Sequence, residues 1–380
     1  MLKTYKYRIY PSKAQIAQLE TQLELCRFVY NKTLATRKDA WEQRQASLGY
    51  YDTAPMLPLW KKEKPELKKV HSQVLQNVQI RVDLAYKAFF RRVKAGEDPG
   101  YPRFKGRGGY DSMCYPQYGN GVTLDGNKLN LSKVGTVKVK LHRALCGPAK
   151  TVCIRRSSGN KWFVTFTCEC PDLVLPADQK AVGIDVGLQA FATLSNGDKI
   201  ANPRFFRQDE KALAKAQRKL AKAEKGTIER RKAKKIVGRI HERISNKRSD
   251  FAHQVSRQLV NNFSIICFED LAIKEMMANK TQVFGNKLNK SIADVAWRQL
   301  VQFTTYKAES AGRRVVLVDP RNTSKRCSRC GSLVQKDLRV RVHHCPTCGL
   351  VLDRDHNAAI NILALGLQRI GNQSVEAQVL

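Results

Sequence analysis

Four cysteines restrict this chain more than any other residues. They fall as Cys327-x-x-Cys330 and Cys345-x-x-Cys348. Each pair lets two thiolates close on one ion from a tight knuckle, and the 14-residue gap between the pairs suits a small β-hairpin that returns the chain to complete a tetrahedral site. The expected ion is one Zn²⁺ acting as a fold staple, because four thiolates leave no coordination position open to a substrate. Arg326, Arg329, Lys336, Arg339, Arg341, His343 and His344 surround the motif, so the ribbon is expected to be basic. The chain has 11 cysteines, an odd count, and the remaining seven are scattered. A secreted disulfide framework is therefore not expected.

Charge narrows the partners. Lys and Arg number 68 against 33 Asp and Glu, a net charge of +35 over 380 residues. A chain with that imbalance repels itself unless it lies on a polyanion, and nucleic acid is the leading candidate. A membrane is not expected, because no apolar run approaches the roughly 20 residues that a span requires. The first residues, Met1-Leu2-Lys3-Thr4-Tyr5-Lys6-Tyr7, lack the apolar block of a secretory signal, which points to the cytosol. Residues 207–248 hold 16 Lys or Arg and 5 Asp or Glu. Exposed helices usually mix signs, so this stretch reads as a helical surface for a polyanion.

The chain is long enough for two or three domains. Residues 5–10 read as a strand closed by Pro11. Ser12 and Gln15 have capping-box spacing, and Ile16, Leu19, Leu23, Cys26 and Tyr30 lay an apolar stripe along the helix that follows. A second helical pattern runs through Val70, Val74, Val78, Val82, Ala85 and Phe89. Residues 50–65, with three prolines, read as loop, and residues 96–121, rich in Gly and Pro, as irregular. Strand-like text at 136–141, 151–156 and 162–170 then suggests a small β-domain with a helical lobe inserted after its first strand. Residues 171–178 read as a linker.

Carboxylates provide a second kind of site. Asp185 stands in the apolar strand text Ala181-Val182-Gly183-Ile184-Asp185, where a lone carboxylate is costly unless a cation or hydrogen bonds compensate it. Glu269 ends the apolar run Ile265-Ile266-Cys267-Phe268. Asp353-Arg354-Asp355 precedes Asn357-Ala358-Ala359-Ile360, which reads as the start of a helix. A hairpin strand, a second strand end and a helix start, each carrying an acid in this order, is the arrangement by which an RNase H-like fold gathers Mg²⁺ ligands.

These segments together resemble a known family. Gly183-Ile184-Asp185-Val186-Gly187, Phe268-Glu269-Asp270-Leu271, Asn322-Thr323-Ser324-Lys325-x-Cys327-Ser328-x-Cys330-Gly331, Cys345-Pro346-x-Cys348-Gly349 and Asp353-Arg354-Asp355-x-Asn357-Ala358-Ala359 are similar to the RuvC-type nuclease core of the TnpB family. Tyr7-Arg8-Ile9-Tyr10-Pro11, Cys26-Arg27-x-Val29-Tyr30-Asn31 and Leu75-Gln76-Asn77 extend the likeness over nearly the whole chain.

The resemblance implies an α/β and α+β multidomain protein. A β-barrel-like wedge domain (1–10 and 100–178) would carry a helical recognition lobe (11–99). An RNase H-like RuvC core (179–320 and 350–380) would carry a zinc ribbon (321–349). It further implies an RNA-guided DNA endonuclease of an insertion sequence, with a guide RNA transcribed from the element's end and a double-stranded DNA target as partners, and no protein oligomer required. Asp185, Glu269 and Asp355 would hold two catalytic Mg²⁺ ions, and Cys327, Cys330, Cys345 and Cys348 a structural Zn²⁺. Gln76 and Asn77 would stand near the surface that reads a short motif beside the target. Two rival readings are a strand-joining transposase or recombinase and a guide-directed DNA-binding repressor. Intact acids at all three positions speak against the repressor.

Overall fold

The computed structural model describes residues 1–172, 174–176, 180–272, 294–295, 297–337 and 340–379. They form two compact units, Met1–Pro171 and Asp172–Leu380. Among the described residues no helix is long and apolar enough to cross a membrane.

In the first unit, β1 (Leu2–Tyr10) ends at Pro11, and the Ser12 hydroxyl accepts the Gln15 amide at 3.2 Å while the Gln15 side chain accepts the Ser12 amide at 2.9 Å. This reciprocal cap starts α1 (Lys13–Arg44), which buries Leu19, Leu23, Cys26 and Val29. Residues 50–65 are not the expected loop. They form α2 (Tyr50–Thr53) and α3 (Met56–Glu63), and Pro65 opens a 3₁₀ turn, Pro65–Lys69. Pro55 is the cap of α3 and Pro58 lies in its first turn. All three prolines thus stand where the helix has no backbone N–H bond to lose. The second helix, α4 (Ser72–Lys94), buries Val74, Val78 and Val82, while Val70 precedes it.

A seven-stranded antiparallel sheet completes this unit, built from β1, β2 (Ser112–Tyr115), β3 (Val122–Asp125), β4 (Lys128–Leu131), β5 (Gly135–Lys140), β6 (Ala149–Arg156) and β7 (Trp162–Glu169). Its order is β2-β6-β7-β1-β5-β4-β3, so the first strand lies in the middle. Alternation in β5 and β7 turns Val137, Val139, Val164 and Phe166 onto Tyr7 and Ile9 in one core. β2, β3 and β4 have four residues each, too short to register as alternation among glycines. The cysteines depart from expectation. Cys114 and Cys153 face each other across β2 and β6 and are joined, as are Cys146 and Cys170. Cys114 and Cys153, 39 residues apart, become opposite numbers in a sheet, which no spacing announces.

The second unit is built on a five-stranded sheet ordered β10-β9-β8-β11-β12, with β8 (Ala181–Asp185), β9 (Ala190–Leu194), β10 (Lys199–Ala201), β11 (Ile265–Glu269) and β12 (Arg314–Val318). β8, β9 and β10 are antiparallel neighbours, whereas β8, β11 and β12 run parallel. Between β10 and β11 the basic stretch forms α5 (Phe205–Lys222) and α6 (Ile228–Asn262), the second capped by Thr227. α7 (Trp297–Ser310) packs on α6. A two-stranded ribbon, β13 (Val342–His344) and β14 (Val351–Asp353), leads into α8 (Arg354–Val379).

Two glycines set α8 on the sheet. A Cβ on Gly183 of β8 would lie 2.1 Å from the Ala359 carbonyl oxygen, and one on Gly366 of α8 would lie 2.2 Å from Cys267 Sγ on β11. Helix and strands therefore approach more closely than any side chain would allow. That closeness brings the first turn of α8 beside the end of β8.

Candidate active site and metal centre

The parallel pairing that aligns Phe268 with Ile184 makes Asp185 and Glu269 the next residues along adjacent strands, and α8 adds Asp355 from its first turn. Asp185 is pushed up to about 8, by burial first and then by the charges of Glu269 and Asp355. Glu269 is also raised by burial, against a hydrogen bond from the Thr323 hydroxyl to its Oε1 at 2.5 Å. Asp355 Oδ1 accepts from Arg354 Nε and Nη2 at 3.1 and 3.0 Å, and Arg341 approaches its other oxygen at 3.8 Å. Burial thus opposes the ionisation of both strand-end acids, and at Asp185 the charges of Glu269 and Asp355 add to it, a penalty that a cation would relieve.

Asp353 has a different role. Its Oδ1 accepts the backbone amides of Asp355 and His356 at 3.0 and 3.1 Å, and its Oδ2 meets Lys199 Nζ at 2.8 Å. It is the N-cap of α8. Burial opposes its ionisation, but Lys199 and the two amides hold its carboxyl below the ordinary range.

The four cysteine sulfurs all lie within 4.8 Å of one another, and among the described residues they are the group of metal-ligating side chains gathered this tightly. Cys327 faces Cys348 and Cys330 faces Cys345, each at 3.6 Å. Hydrogen bonds from Ser332 lower the Cys330 thiol and the Cys348 amide lowers Cys345, while at Cys348 the Leu350 amide favours the thiolate but burial and hydrogen bonds with the other three thiols outweigh it and raise the group. Four sulfurs in mutual contact are a donor set for a soft divalent ion, and Zn²⁺ fits it. The hairpin strands β13 and β14 flank the second knuckle rather than filling the gap between knuckles, and a single bridge from Arg326 to Leu333 closes the first. The ribbon's basic set also changes. His343 is buried and bonded to Lys336 Nζ at 2.6 Å, and Arg339 lies outside the described residues.

Gln76 and Asn77 both lie on α4 of the first unit. Gln76 is exposed. Asn77 is already engaged, accepting from Arg81 Nε at 3.0 Å, and Arg81 continues to Tyr110 and Ser112. Arg81, half-buried, is thus a strut within the first unit.

Sequence reasoning gave no role to Thr323, Asn357 and Asn361, all buried. Asn357 Nδ2 donates to the Arg326 carbonyl at 2.8 Å and its Oδ1 accepts the Ser328 amide at 3.0 Å. Asn361 Nδ2 donates to the carbonyls of Thr323 and Arg326 at 2.8 and 2.7 Å. The legible signal was two amides spaced i, i+4 on an otherwise apolar helix face beside Ala358 and Ile362.

Three family profiles match the chain: "Probable transposase" over residues 165–280, "Cas12f1-like, TNB domain" over 297–362, and "Helix-turn-helix domain" over 1–46, which here spans β1 and α1. A "Putative RNA-guided DNA endonuclease" of Streptomyces pristinaespiralis is 37% identical over 96% of this chain and 89% of its own length. The "Putative RNA-guided DNA endonuclease InsQ" of Escherichia coli (strain K12) is 32% identical over 96% of this chain and 92% of its own length. The chain belongs to the TnpB family. Among solved structures, the "mini-RNA-guided endonuclease CRISPR-Cas_phi3" covers 97% of this TnpB chain and 92% of its own, with a TM-score of 0.50 at 9% identity. That likeness concerns the fold alone.

Proposed function

We propose that this TnpB chain is an RNA-guided DNA endonuclease of an insertion sequence, cutting DNA phosphodiesters at Asp185, Glu269 and Asp355. One observation carries the reading: Asp185, at the end of one of two adjacent parallel strands, is pushed up to about 8 by burial first and then by the charges of Glu269, on the neighbouring strand, and Asp355, in the first turn of α8. The full-length relatives named as RNA-guided DNA endonucleases agree with it. The sheet, with three antiparallel strands continued by two parallel ones and covered by α8, supports an RNase H-like core.

Hard oxygen donors with excess negative charge fit Mg²⁺. Two Mg²⁺ ions held by Asp185, Glu269 and Asp355 would supply Lewis acidity toward the attacking water and the leaving oxygen. The residues of the chain do the rest. Asp353 fixes the turn that presents Asp355, and the close packing at Gly183 holds that turn against β8. Base pairing with the guide would supply sequence specificity, and the net charge of +35 would grip backbones irrespective of sequence. The first unit, Met1–Pro171, would supply the recognition lobe (11–99) and the wedge (1–10, 100–178) as far as residue 171, with exposed Gln76 nearer than Asn77 to serving as a base reader. Cys327, Cys330, Cys345 and Cys348 would hold a structural Zn²⁺.

The test is to purify the protein with its co-expressed RNA, sequence that RNA, and present duplex DNA matching its guide segment with and without Mg²⁺. Cleavage of the matched duplex only, lost in Asp185→Ala, is expected. RNA-independent cutting, or strand-joined products, would overturn the reading.

A further inference from the structure

The motif Asn322-Thr323-Ser324-Lys325 lies before the first zinc knuckle, yet neither the metal staple nor the carboxylate triad accounts for it. Asn322 adopts a left-handed conformation, φ 64°, and its carbonyl accepts the amides of Lys325 and Arg326 at 3.0 and 2.9 Å. The resulting tight turn leaves Thr323 4% exposed. It is held at two points. Its carbonyl accepts Asn361 Nδ2 at 2.8 Å, and its hydroxyl lies 2.5 Å from Glu269 Oε1 and 3.1 Å from the Pro320 carbonyl.

A hydroxyl has one proton for these two acceptors. The shorter approach to a carboxylate is the stronger, charge-assisted bond, so the proton points to Glu269. That bond occupies one lone pair of Oε1 and fixes the rotation of the carboxyl group, leaving Oε2 for a cation. Because Asn361 anchors Thr323 from α8, the helix that carries Asp355 also sets the orientation of Glu269. We infer that Thr323 is a positioning residue for Glu269, acting through its hydroxyl and held in place by Asn361. The inference rests on the active-site reading above.

The experiment uses the RNA-bound protein and compares Thr323→Val, which keeps the shape and loses the hydroxyl, with Thr323→Ser, which keeps the hydroxyl. Single-turnover cleavage is followed against Mg²⁺ concentration. Mn²⁺ binding is measured from the loss of its free-ion electron paramagnetic resonance signal, taken as the difference from Asp185→Ala so that binding by RNA cancels. Zinc content and target binding are measured on every variant. Thr323→Val is expected to cut about 10-fold more slowly or worse and to need more Mn²⁺ for half-saturation, with zinc and target binding unchanged. Thr323→Ser is expected to cleave and bind Mn²⁺ close to wild type. Wild-type cleavage and Mn²⁺ binding by Thr323→Val would overturn the inference, as would a Thr323→Ser as impaired as Thr323→Val. Loss of zinc in Thr323→Val would also overturn it, by placing the residue in the ribbon's fold. Retained cleavage in Asp185→Ala would instead refute the active-site reading.

Discussion

At the scale of the residue, the two aspartates flanking Arg354 make the sharpest contrast. Asp353 accepts two helix amides and a lysine, whereas Asp355 adds its charge to the burial and the Glu269 charge that raise Asp185. Asp353→Asn keeps an acceptor for the amides and loses only the ion pair with a half-exposed Lys199, an interaction commonly worth about 1 kcal/mol or less. It should keep most cleavage, while Asp355→Asn should lose nearly all; rates measured on one guide and target decide between them. Asp185→Ala and Glu269→Ala should each abolish cutting while filter-binding of the matched target survives, because backbone grip comes from Lys and Arg. The strand-end positions of Asp185 and Glu269 were legible because a carboxylate in apolar text has few inexpensive explanations. Thr323 was not, since its meaning depends on a partner 54 residues away, and threonine in a turn ordinarily bonds its own backbone.

Among elements, long periodic helices and alternating strands were readable, and the misreadings came where short elements carried prolines or glycines. Packing of α8 on the sheet was invisible in the periodicity but is testable. Gly183→Ala would press a Cβ into the backbone of α8, which should cost about 1–3 kcal/mol and slow cleavage as Asp355 shifts. Gly366→Ala meets the side chain of Cys267 instead, Sγ at 2.2 Å and Cβ at 2.9 Å, so Cys267→Ala, which removes the closer clash, should restore part of its melting temperature but none of that of Gly183→Ala.

A second element-scale prediction concerns Lys307 of α7, buried between helices, with Nζ donating to the His253 carbonyl at 2.6 Å and to Ser256 Oγ at 2.7 Å. Burial, helped by Arg257, lowers it to about 8. A lysine whose folded value is below its unfolded one penalises folding in full below pH 8, and the penalty fades as pH rises toward 10.5. Lys307→Met should therefore raise stability at pH 7 by on the order of 1 kcal/mol, and the gain should shrink at pH 10 in denaturant titrations.

For the whole molecule, a charge of +35 predicts a copurifying RNA, and stripping that RNA should cause aggregation reversed by adding it back; light scattering reads both steps. Metal analysis should find about one zinc per chain, lost together with ribbon structure in Cys327→Ser or Cys348→Ser. The pairing of Cys114 with Cys153 needed the sheet itself. The central position of β1 has a consequence for synthesis. The Met1 ammonium donates to the Cys170 carbonyl across 169 residues, and β1 is hydrogen-bonded along its length to β7, the last strand of the sheet. At roughly 5–20 residues per second, the ribosome needs on the order of ten to thirty seconds to deliver that partner. β5 can cover one edge of β1 sooner, but until β7 is made the other edge stays open, which a chaperone or the RNA must shield, and a nascent chain halted before residue 162 cannot close this sheet.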